Sequence, residues 1–78
     1  MNKKDKKTWN QRLRIAREEL GFSLAQAVKF LYEEHKIKLD KSHLAKIERG
    51  NISCSVDKFR AICDIYSADA NWVLDLKE

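Results

Sequence analysis

Residues 40–51, DKSHLAKIERGN, hold a dense set of side chains that could meet a ligand. Lys41, His43, Lys46 and Arg49 supply hydrogen-bond donors and positive charge, and Ser42 supplies a hydroxyl. With Leu44 and Ile47 turned inward and about 100° per residue of helix, Ser42, Lys46 and Arg49 point away from the core, with Ala45 beside them. Lys41 and His43 flank that outer face. Small residues at 42 and 45 let the backbone lie close to a surface. The basic side chains suit phosphates or the acceptor edge of guanine, and the positive N-terminal end of a helix adds to the attraction. A solvated charged face has a similar composition, so the rest of the chain must decide between the two. Glu48 falls on the core side of the same stretch, where an unpaired carboxylate is very costly. Arg17, beside the apolar positions Leu13, Ala16 and Leu20, is its expected partner.

Other chemistry finds little support. His35 and His43 stand with no carboxylate or thiol in a recognisable catalytic arrangement. Cys54, Cys63, His35 and His43 lack metal-ligand spacing. There is no Gly-rich phosphate loop. The expectation is a protein that is not an enzyme and takes neither metal nor cofactor. Two cysteines outside any CxxC pair are too few for a disulfide framework, and Cys63 reads as a small core residue. Without a signal peptide or an apolar run near 18 residues, the reading is a reduced, cytoplasmic, soluble protein with no membrane partner.

The elements that must position these residues follow from composition and periodicity. Seventy-eight residues allow one domain, which buries only about 60% of its unfolded surface. A hydrophobic content of 44% supports a packed core, and no proline with only two glycines favours long helices. Residues 1–50 carry 13 Lys/Arg against 7 Asp/Glu, whereas residues 51–78 carry 3 against 5. That asymmetry points to a polyanion approached from one side.

Residues 1–7, MNKKDKK, read as a flexible basic arm, and 8–78 as the folded domain. Thr8 caps a first helix with Trp9, Leu13, Ala16 and Leu20 on one face, stopped by Gly21. Ser23 caps a second helix reaching about His35, with Ala27, Val28 and Leu31 buried and Phe30 and Tyr32 off that stripe. KIKL, residues 36–39, reads as an ordered loop with Ile37 and Leu39 packed inward. Asp40 and Gly50 bound the third helix. Ser55 caps a fourth, whose core face is Val56, Phe59, Ile62, Cys63 and Tyr66. A last helix lies in ANWVLDLKE, with its core contribution expected from Trp72 together with Leu76 or Val73. Its remaining apolar residues, and Ile15, offer a dimer surface. Five helices without a strand make an all-α bundle.

RLRIAREELGFS (12–23), SHLAKIERGN (42–51), SVDKFRAICDIY (55–66) and DANWVL (69–74), in this order, resemble the phage-repressor helix-turn-helix family, which includes the lambda repressor and Cro proteins. The likeness covers roughly residues 9–75. It implies a five-helix lambda-repressor-like bundle whose second and third helices form the helix-turn-helix. The third lies in the major groove, and a homodimer meets a palindromic operator in double-stranded DNA. By position, Lys41, Ser42 and Lys46, with His43 at the margin, become base-reading residues. Ser23, Arg49 and Asn51 become phosphate contacts, and Arg17–Glu48 matches the family's structural ion pair. The basic arm is similar in charge to arms that wrap around DNA.

Two features depart from the pattern. Leu24 stands where the family often has Gln, and offers a contact to a thymine methyl group or a partner instead. The connection between the second and third helices is extended by roughly six residues over a turn of normally 3–4. Its Lys36 and Lys38 read as solvated loop lysines that could add phosphate contacts. The expected function is a sequence-specific, dimeric transcription regulator of phage or prophage type, most simply a repressor. The rival is a protein-interaction module of the same fold, antirepressor- or antitoxin-like, using residues 30–39 with Leu24, Phe30, Tyr32 and Ile37.

Overall fold

The computed structural model describes residues 8–74. They form five helices: α1 (Trp9–Leu20), α2 (Leu24–His35), α3 (Lys41–Arg49), α4 (Val56–Ile65) and α5 (Ala70–Leu74). There is no strand among the described residues. The expected basic arm at 1–7 and the expected core position Leu76 lie outside the described residues.

Each of the first four helices starts on a side chain that satisfies an otherwise orphaned backbone N–H. Thr8 and Ser23 make full capping boxes with Gln11 and Gln26, whose side chains accept from the cap N–H groups at 2.9 Å. The Asp40 carboxylate accepts from the His43 N–H at 2.8 Å, and Ser55 accepts from Lys58 at 3.2 Å. Each cap contributes about 1 kcal/mol, which matters where helices are only 9–12 residues long.

Three helices stop on a residue in the left-handed region, but only two of those residues are glycine. Gly21 and Gly50 have φ of +78° and +82°, and Lys36, which ends α2, has φ of +58°. A side chain in that region costs about 1 kcal/mol relative to glycine. Lys36 nevertheless completes the cap: its N–H donates to the Tyr32 carbonyl at 3.0 Å and the Ile37 N–H to Leu31 at 3.2 Å.

The core draws on every helix. Leu13, Ala27, Leu31, Leu44, Ile47, Ile62 and Val73 are fully buried, with Ala16, Ala61, Cys63, Ile65 and Tyr66 nearly so. Trp9 and Phe59 meet edge to face at 5.6 Å, and Phe30 finds its surface on Phe22 at 5.1 Å. Ile37 and Leu39 pack against the core from the loop, as their alternation with lysines suggested. Burial pushes the Cys63 thiol up to about 11, in keeping with an inert core residue.

Three expected core positions are corrected. Leu20 is 44% exposed, because the last residue of α1 falls at the rim of a depression shared with Trp72. Val56 is 71% exposed, because it is the first helical residue of α4 and precedes the part that packs. In α5 the buried residue is Val73, while Trp72 is 43% exposed. Its ring lies under the Arg12 guanidinium at 5.4 Å, and its carbonyl accepts from Arg12 Nη1 at 2.6 Å. No helix among the described residues is long and apolar enough to cross a membrane.

Candidate nucleic-acid interface

Only Leu44, Ile47 and Glu48 of α3 are buried. The apolar pair stabilises its docking by about 3–6 kcal/mol at most, and Glu48 supplies direction. Arg17 approaches it side-on from α1. Arg17 Nε donates to both Glu48 oxygens at 3.1 and 3.0 Å, and Nη2 donates to Oε1 at 3.0 Å. The remaining Arg17 Nη1 donates to the Phe22 carbonyl at 2.9 Å, which fixes the path from α1 into α2. The Tyr66 hydroxyl, at the end of α4, donates to Glu48 Oε2 at 2.6 Å. The pair is largely out of solvent, at 12% and 3% side-chain exposure. One carboxylate thus gathers α1, α3 and α4.

The electrostatics follow from that burial. Desolvation works against the Arg17 charge, but the hydrogen bonds and attraction from Glu48 outweigh it and hold its pKa above the ordinary arginine value. The Tyr66 phenol is pushed well above its usual range, first by burial and then by its bond to Glu48. It therefore stays a donor at any physiological pH.

A second anchor was invisible to hydrophobic periodicity. Asn10 is buried on α1, and its Nδ2 donates to the Ile47 carbonyl at 2.7 Å. The same side chain packs against Gly50, whose missing Cβ would lie 3.5 Å from Asn10 Oδ1. The Gly50 N–H donates to Ile47 and the Asn51 N–H to Lys46, closing the end of α3. Asn10 and Arg17, together with Leu13 between them, form one row along α1, at spacings of three and four. That row was the available signal.

With its inner face fixed, α3 leaves Lys41, Ser42, Lys46 and Arg49 exposed, while His43 and Ala45 are half-buried. None of these side chains forms an ion pair among the described residues, in contrast to Arg14 with Glu18, Arg17 with Glu48 and His35 with Asp64. Four polar side chains, three of them cationic, are thus presented together without acidic partners. Arg49 and Asn51 share a depression with Gln11, Arg14 and Glu18 of α1, where Glu18 is paired with Arg14, and this widens the polar surface at the end of α3. Ser23 is exposed at the start of α2, but its hydroxyl already accepts from Gln26. Leu24 is half-buried against the core, so only part of it is available to a ligand.

The extended connection consists of α2 continued to His35 and five linking residues, 36–40. Phe30 and Ile37 are drawn into packing, which leaves Tyr32, at 48% exposure, as its large exposed apolar side chain. His35 places Nε2 at 2.8 Å from Asp64 Oδ2 and ties the extension to α4. Glu34 offers a further oxygen within 4.8 Å of both, and all three side chains are exposed.

A family model described as a helix-turn-helix domain matches residues 11–73. No curated protein and no solved structure matches the chain significantly.

Proposed function

The chain belongs to the helix-turn-helix domain family, and from that premise we propose that it is a sequence-specific regulator of transcription that reads double-stranded DNA with α3. The observation that carries this reading is the division of α3 into two faces. One is locked by Leu44, Ile47 and the Arg17–Glu48–Tyr66 cluster, and the other presents Lys41, Ser42, Lys46 and Arg49 to solvent. A rigid helix with short and long donors on one side suits insertion into a groove about 12 Å wide. Lys41, Ser42 and Lys46 are assigned to base edges, with His43 marginal because it is half-buried. Arg49, Asn51 and Ser23 are assigned to phosphates, Ser23 chiefly by placing the N-terminal end of α2.

The finer reading is a phage- or prophage-type repressor that acts as a homodimer on a palindromic operator. The apolar surface around Trp9, Val56, Phe59 and Leu74 is the candidate dimer contact, since these residues line one depression beside α5. The lysine-rich residues 1–7 fit a basic arm that adds non-specific attraction. Selection from a random duplex library at low salt tests the whole reading. It should enrich a motif of two inverted half-sites about 34–36 Å apart. Enrichment of no motif overturns sequence-specific binding, and a single half-site overturns the dimer.

A further inference from the structure

The extended connection gathers its cations on an aromatic ring. Lys36 Nζ lies 5.5 Å from the centroid of the Tyr32 ring, and Lys38 Nζ lies 5.8 Å from it. Neither ammonium forms an ion pair with a carboxylate among the described residues. Two cations held near one ring repel each other, and a bound anion offsets that repulsion. Glu34, on the same extension, lies with His35 and Asp64 toward α4. Tyr32 and Lys38 also line one depression with Val28, Leu39 and Asp40, and Asp40 is the N-cap of α3. The depression that holds Lys38 therefore borders the start of the helix assigned to the groove, where the Asp40 carboxylate accepts from the His43 N–H. Lys36 occupies a left-handed helix stop at φ +58°, where glycine would fit better.

We infer that Tyr32, Lys36 and Lys38 form a phosphate clamp that grips the DNA backbone beside the α3 site. This inference rests on the DNA-binding reading and extends it to the inserted turn. The two lysines bind phosphate oxygens, and the Tyr32 ring holds the ammonium groups in place through cation–π attraction. Such contacts carry no sequence information, so they set affinity and register while α3 sets the motif.

The test uses the full chain and the duplex enriched by library selection, with a scrambled duplex alongside. Each lysine–phosphate contact contributes about 0.9 to the slope of log affinity against log salt. Lys36→Ala with Lys38→Ala should flatten that slope by about 1.8 and weaken both duplexes by the same factor, roughly five- to tenfold per lysine. Library selection with this variant should return the wild-type motif. Lys36→Gly separates the clamp from a structural role, because it relieves the left-handed residue while removing the charge. Its melting temperature should rise by about 4 °C while its salt slope falls by about 0.9. Wild-type binding with an unchanged slope in the double variant overturns the clamp and leaves the α3 reading intact. Failure of the wild-type chain to bind either duplex overturns both. Preserved DNA binding in the double variant with loss of binding to a polyglutamate peptide assigns the patch to an acidic protein partner instead.

Discussion

Breaking the Arg17–Glu48–Tyr66 cluster should have a large and non-additive effect. Arg17→Met removes three donor contacts to Glu48 and leaves a carboxylate that is 3% exposed without its counter-charge. Losing one partner of a buried pair costs about 3–5 kcal/mol. A domain of this length has a total stability of roughly 4–12 kcal/mol, so the single variant should lose about half of it. Glu48→Gln keeps the shape but not the charge, and should cost about 2–4 kcal/mol on the same grounds. With both partners changed, no unpaired buried charge remains. The double variant should then be far less damaged than the sum of the singles, with a coupling of about 2–3 kcal/mol. Tyr66→Phe removes only the 2.6 Å bond to Glu48. It should cost about 1.5–3 kcal/mol, since Arg17 still serves the carboxylate. Urea unfolding followed by tryptophan fluorescence is a suitable assay, because Trp9 and Trp72 sit against different elements. Strictly additive effects of Arg17→Met and Glu48→Gln would refute the cluster as the anchor of α3.

Further consequences are smaller and separable. Asn10→Ala should cost about 0.5–1.5 kcal/mol, since the Ile47 carbonyl keeps the Gly50 N–H as a donor, and hydrogen exchange should show the end of α3 fraying first. Gly50→Ala should cost about 1 kcal/mol or more from its positive φ of +82° alone, measured by the shift in urea midpoint. The Cys63 thiol has its pKa raised from 9.0 to about 11 in the folded chain. Its contribution is therefore complete below pH 9 and is lost as pH rises toward 11, an effect of at most about 2–3 kcal/mol. Thermal melts across that window should fall less steeply for Cys63→Ala than for the wild-type chain.

Much of the architecture is legible where a single residue decides a local event. Thr8, Ser23, Asp40 and Ser55 each announce a helix start, because the cap needs a short acceptor side chain. Gly21 and Gly50 announce two stops. Arg17–Glu48 follows from helical phase, since a carboxylate on a buried face requires a cation. The contacts of Asn10 and Tyr66 were hidden because their partners lie 37 and 18 residues away, on elements whose approach the sequence does not specify. The apolar content of the last helix points to Trp72 as core, yet five residues of helix do not determine which side faces inward. The end of α2 carried no glycine at its stop, so the left-handed Lys36 and its approach to Tyr32 had no local mark. The outward set on α3 was legible as a surface. Its assignment to bases or phosphates rests on the resemblance, not on periodicity.

Parallel library selections with the wild-type chain, Lys46→Ala and Arg49→Ala put the assignment of α3 to the major groove to its most direct test. Lys46→Ala should lose its preference at one position in each half-site, at a cost of about 1–3 kcal/mol in discrimination. Arg49→Ala should return the wild-type motif with uniformly weaker binding and a salt slope shallower by about 0.9. Recovery of the same motif, with the same preference at every position, from wild-type and Lys46→Ala chains would contradict it.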